Sequence, residues 1–103
     1  MGRSYKLLPK ARLDLETIFQ YISEELVNPE AAFRLITKFE TKFMSICEYP
    51  KANPVISNPL FHHSSLRKTV VDKYVIVYIF DEGIDLVNIV RVIYARQDYY
   101  NEI

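Results

Sequence analysis

The chain has 103 residues, half of them hydrophobic, with 13 basic and 13 acidic side chains and a formal charge of zero. That is apolar material for one core and a single domain spanning residues 1–103, and neutrality argues against a strongly basic nucleic-acid binder, whose phosphate contacts need cations. Two glycines exclude a glycine-rich nucleotide-binding loop, and one cysteine, Cys47, excludes an internal disulfide.

The N-terminal "MGRSYKLLPKARLD" has no apolar stretch of signal-peptide length. The longest apolar run, residues 75–80, is too short to cross a membrane. The expectation is a soluble cytoplasmic protein.

Tyr5-Lys6-Leu7-Leu8 reads as a short strand, stopped by Pro9. From Lys10 the period changes: Ala11, Leu15, Ile18, Ile22 and Leu26, widened by Phe19, form one helical stripe that should end near Val27. Asp14 and Glu16 lie towards its N-terminal end, where acidic groups complement the helix dipole. Asn28-Pro29-Glu30 is a second helix start, with a capping side chain, a proline at the first helical position and an acid in the first turn. Ala32, Ile36, Phe39, Phe43 and Ile46 make its apolar stripe, and Tyr49-Pro50 ends it. Two such helices form a hairpin that needs a sheet to cover its apolar side. Cys47 lies on that side and reads as core.

Residues 50–65, "PKANPVISNPLFHHSS", hold three prolines and read as a loop. Three strands come next. Residues 66–71 are the first, with a turn at Asp72-Lys73; residues 74–80 are the second and most apolar. Asp81-Glu82-Gly83 is a hairpin turn, with Gly83 able to take a positive φ. Residues 85–95 are the third. Strict alternation puts Asn88, Val90, Val92 and Tyr94 on one face and Val87, Ile89, Arg91 and Ile93 on the other. Both faces are largely apolar, which predicts a central strand. The order is β-α-α-β-β-β, an α+β domain whose helical hairpin packs on one face of a small, mainly antiparallel sheet.

In this order, "PKARLDLETIFQYI", "NPEAAFRLITKFETKFMSICEYP", "SLRKTVVDKYVIVYIF" and "VNIVRVIYARQDY" together resemble the RelE/ParE superfamily of toxins from bacterial type II toxin–antitoxin modules. The resemblance covers nearly the whole chain. It implies a small growth-inhibiting toxin, without a cofactor, held by a cognate antitoxin whose C-terminal segment wraps the helices and sheet. A toxin–antitoxin heterocomplex or a homodimer is the implied assembly. RelE-like members cut messenger RNA in the ribosome; ParE-like members poison DNA gyrase. The ParE-like reading is favoured by the long hairpin, by Tyr94 where a histidine often stands, and by Val75 where many members carry a basic residue.

RNA cleavage without a metal needs a base, an acid and a cation on the charged transition state. Candidate catalytic residues are Arg67, Arg96, Tyr94 and Tyr99. Lys68, Lys73 and Arg91 are candidates for binding phosphate or target. A tyrosine acting as base would need its pKa lowered by neighbouring arginines. His62, His63 and Tyr100 are minor candidates, and adjacent histidines on extended chain face opposite ways, which disfavours a shared metal. Each has a plainer reading. Arg67 and Lys68 suit a solvated face, Arg91 among apolar neighbours suits burial with a carboxylate, and Tyr74 and Tyr78 suit the core.

Overall fold

The computed structural model describes residues 4–56 and 66–96. His62, His63, Tyr99 and Tyr100 lie outside the described residues. The elements are β1 (Ser4–Leu7), α1 (Pro9–Gln20), a π-helical turn (Tyr21–Glu25), α2 (Pro29–Glu48), β2 (Leu66–Val71), β3 (Tyr74–Asp81) and β4 (Leu86–Tyr94). The order β1-β4-β3-β2 makes one four-stranded sheet, with β4 inside it as expected. β1 runs parallel to β4, and the other pairs are antiparallel.

Helix boundaries obey local chemistry. Pro9 occupies the first turn of α1, where its missing N–H costs nothing. Asn28 caps α2 by accepting the Ala31 N–H at 3.1 Å, with Pro29 again in the first turn. The long first helix of the periodicity is interrupted: α-helix stops at Gln20 and a π turn succeeds it, with the Leu26 N–H bonding the Tyr21 carbonyl at 3.1 Å. A π turn takes an extra residue per turn, so it rotates the residues beyond it off the stripe. Ile22 still packs on the core, whereas Leu26 is 56% exposed. Val27 then closes the hairpin with φ 48°, a left-handed conformation that is rare for a β-branched residue.

The core lies between the hairpin and one sheet face. Phe39, Phe43, Ile46 and Cys47 of α2 and Ala11 of α1 meet Ile76 and Tyr78 of β3 and Val87, Ile89 and Val92 of β4. Tyr5 meets Phe43 at a tilt, and Tyr74 meets Phe39 edge-on. Leu66, Val75 and Val77 form a second apolar cluster with Ile56.

Strict alternation fails along β4. The pairing with β3 shifts between Val77 and Tyr78, so Val77 lies opposite Arg91 but Tyr78 lies opposite Ile89. Val90 is the extra residue, a β-bulge. It returns Val92 to the same core as Val87 and Ile89, although alternation assigned Val92 to the other face. The β3–β4 turn also differs from expectation. Gly83 has no positive φ; Asp85 takes the left-handed conformation at φ 54°, and Asp81 Oδ1 accepts the Gly83 N–H at 3.0 Å.

Tyr78 is completely buried, and its hydroxyl is satisfied by donating to the Pro50 carbonyl at 2.8 Å while accepting from Asn53 at 3.2 Å. This fixes the chain that leaves α2. Residues 54–56 then cover the outer edge of β2 through Ile56 N–H to the Leu66 carbonyl and Lys68 N–H to the Pro54 carbonyl.

Two substitutions test these features. Val27→Asn, at an 80% exposed position, should relieve left-handed strain and raise stability by about 1 kcal/mol; thermal denaturation showing a lower midpoint would contradict the strain. Tyr78→Phe strands the buried Pro50 carbonyl and should cost about 1–2 kcal/mol in chemical denaturation.

Candidate functional site

β1 ends early. Its last partner pair is Leu7 with Ile89, and the Leu8 N–H reaches the Ile89 carbonyl at 3.0 Å. β4 continues to Tyr94 with β3 on one side only. An open groove of about 730 Å³ lies over this unpaired end. Leu13, Thr17, Ile18, Tyr21, Ile22 and Leu26 line its helical wall; Lys73, Tyr74, Val92 and Tyr94 line its sheet wall, with Asp14 and Arg91 between.

The polar centre is the Asp14–Arg91 pair. Arg91 Nε donates to Asp14 Oδ2 at 2.8 Å and Nη2 to Oδ1 at 2.9 Å, a bidentate geometry. The Val92 backbone N–H also donates to Asp14 Oδ2, at 2.9 Å. Both side chains are about 15% exposed, so the pair is largely withdrawn from water. The expectation of a carboxylate partner for Arg91 is therefore met. The sequence pattern makes Asp14 a partner of the helix dipole; its bonds are instead to β4, across a separation of 77 residues that no local pattern reveals.

The predicted residues divide. Lys73, Arg91 and Tyr94 come together in the groove, with the Tyr94 ring 5.6 Å from that of Tyr74. Arg96 is exposed two residues beyond the strand. Arg67 sits elsewhere. It is level with Tyr78 while Tyr94 is level with Tyr74, which places it on the order of 16 Å from the β4 end by strand spacing. Its Nη1 donates to the Asn53 carbonyl at 2.7 Å and the Lys51 carbonyl at 3.4 Å, holding the chain after α2. Lys68 alternates with Arg67 and so belongs to the opposite sheet face. Among the described residues, no group of three or more His, Cys, Asp or Glu side chains is placed to hold a metal ion, and no helix is long and apolar enough to cross a membrane. Leu13 and Tyr21, more than half exposed, are groove residues that sequence reasoning missed. The signal in the sequence is that both are large apolar residues lying off the stripe of Ala11, Leu15, Ile18 and Ile22.

Three tyrosines outside the candidate catalytic set are harder to ionise than an ordinary tyrosine. Burial pushes the Tyr74 hydroxyl above its ordinary value, and the neighbouring Tyr94, Tyr21 and Asp72 add to it. Tyr78 is raised by burial, against smaller lowering effects of its Asn53 hydrogen bond and Arg67. Tyr5 is raised by burial, then by Glu40 and Cys47. Each folded pKa exceeds its unfolded one, so stability is fully present below the unfolded value of about 10 and falls as pH rises through the folded values. An alkaline titration monitored residue by residue should show Tyr5, Tyr74 and Tyr78 ionising above the ordinary tyrosine value, with stability lost over the same range. Ionisation of these three at the ordinary tyrosine value would contradict this.

The comparisons with known proteins agree with this architecture. The sequence model of the family described as "ParE toxin of type II toxin-antitoxin system, parDE" matches residues 5–99. No curated protein matches the sequence. Among solved structures, the chromosomal ParDE toxin–antitoxin system from P. aeruginosa is similar with a TM-score of 0.72 at 15% identity, over 90% of this chain and 96% of that one. The toxin–antitoxin complex RelBE2 from Mycobacterium tuberculosis gives 0.64 at 17%, over 91% and 99%. The isolated E. coli RelE toxin gives 0.59 at 18%, over 97% and 93%. These identities carry the fold; the family match carries membership. The helical hairpin on a β1-β4-β3-β2 sheet is thus the RelE/ParE fold, and the chain belongs to the ParE toxin family of type II toxin–antitoxin systems.

Proposed function

We propose that this toxin acts as a ParE-type binding poison of DNA gyrase in the cytoplasm, through the end of β4, and that a cognate antitoxin silences it from the groove. The observation that carries the reading is the bidentate commitment of Arg91 to Asp14. An arginine held this way is not placed to follow the charge that develops in a cleavage transition state, which suits a binding surface better than catalysis. Tyr94 and the exposed Arg96 offer an aromatic and a cation, residue types enriched at binding hot spots.

The antitoxin reading draws on the groove itself. Leu13, Tyr21 and Leu26 expose apolar surface along one wall, the kind of concave surface that takes an amphipathic helix or extended segment. Two similar structures are a toxin–antitoxin system and a toxin–antitoxin complex.

A second reading keeps a RelE-like, ribosome-dependent endoribonuclease. It is supported by the gathering of Lys73, Tyr94 and Arg96 at one end of the sheet, where cations and an aromatic could meet RNA.

Induced expression with parallel gyrase and translation assays separates the two. The proposal expects growth arrest, stalled gyrase–DNA complexes and intact message. It expects Arg96→Ala to weaken gyrase inhibition about tenfold. Cleavage of message at defined sites, lost in Arg96→Ala, would replace the first reading with the second. An antitoxin-binding relative without toxicity would leave growth unaffected.

A further inference from the structure

The Val92 N–H points to the side of β4 where β1 has already ended. In a longer β1 a strand carbonyl would accept it. Asp14 Oδ2 accepts it instead, from α1, while the same carboxylate clamps the guanidinium of the preceding residue. Two consecutive positions of β4 are thereby bonded to one helical side chain, immediately after the Val90 bulge and just before Tyr94. Bonds to adjacent residues fix both the position of a strand and its rotation. A single surface ion pair would do neither.

We infer that Asp14 is a positioning residue: it substitutes for the missing length of β1, sets the rotation of β4 after the bulge, and so aims Tyr94 and Arg96. The functional half of this inference rests on the reading that the β4 end meets the target. The Val92 bond is the operative contact. The Arg91 charge holds the carboxylate in place and compensates it.

This separates the role from plain stabilisation. Removing one partner of a withdrawn ion pair strands the other, whereas replacing both with apolar groups of similar volume is often neutral for stability. The double variant Asp14→Leu/Arg91→Met should therefore stay folded, with a midpoint lowered only by the loss of the one backbone hydrogen bond to Val92. Arg91→Lys keeps a cation beside Asp14 and leaves the Val92 bond available.

The experiment uses the full chain. Amide hydrogen exchange at Val92 is measured by NMR, thermal unfolding by circular dichroism, and growth arrest by induced expression, for wild type, Asp14→Asn, Arg91→Lys and the double variant. Expected are exchange at Val92 faster by about tenfold or more in the double variant, lost growth arrest although that variant is folded at the assay temperature, and slow exchange with retained arrest in Arg91→Lys. Asp14→Asn should fall between. The inference is overturned by a folded double variant with slow Val92 exchange and full arrest, or by activity that tracks the thermal midpoint across all variants. If the double variant does not fold, Arg91→Lys decides: fast Val92 exchange there overturns the inference, and slow exchange with arrest supports it. If the wild type itself arrests no growth, the proposed function fails, and Val92 exchange still decides whether Asp14 orders the strand.

Discussion

A carboxylate on the first helix holds the last strand of the sheet. Asp14 takes a bidentate grip on Arg91 and the backbone N–H of Val92, with all three bonds between 2.8 and 2.9 Å. Most of the groove's surroundings depend on that grip. β1 is four residues long and β4 is nine, so the sheet is locally one strand short. Without Asp14, the Val92 N–H would face the groove unpaired, and an unpaired buried backbone group costs as much as a lost hydrogen bond. With it, the helix becomes part of the sheet edge, and the groove gains a polar centre.

The mismatch in strand lengths also accounts for the groove. α1 must leave β1 at Pro9 and cross over β4 with its apolar stripe down. The π turn then rotates the chain so that Tyr21, Ile22 and the more exposed Leu26 all line the groove. At the other end of the sheet the constraint is different. Tyr78, Asn53 and Arg67 bond the chain leaving α2 back onto β3 and β2, and residues 54–56 cover the β2 edge. One end of the sheet is closed by backbone pairing and the other is left open, which is why the candidate residues Arg67 and Arg96 do not share a site.

Local chemistry was legible where it is local. Pro9, the Asn28-Pro29 cap and the Tyr49-Pro50 stop mark helix ends through steric and hydrogen-bonding rules that need no tertiary information. The central place of β4 was readable because both of its faces are apolar. The Val90 bulge was not, because it depends on registration against β3 rather than on composition. The π turn preserves a helical spacing of apolar residues up to Ile22, so the pattern alone reads as continuous α-helix. At the β3–β4 turn, glycine was the natural candidate for a positive φ, yet Asp85 takes it, as short polar side chains are able to do. For the site, the need of Arg91 for a carboxylate was visible from its apolar neighbours; which carboxylate was set by the packing of α1 over β4.

The coupling between Asp14 and Arg91 is the central physical claim, and a double-mutant cycle measures it directly. Chemical denaturation of Asp14→Ala, Arg91→Ala and the double variant gives the interaction free energy of the pair. The geometry predicts a favourable coupling of about 1.5–3 kcal/mol, the range for hydrogen bonds to charged groups withdrawn from water. A coupling below about 0.5 kcal/mol, typical of an exposed ion pair, would contradict it.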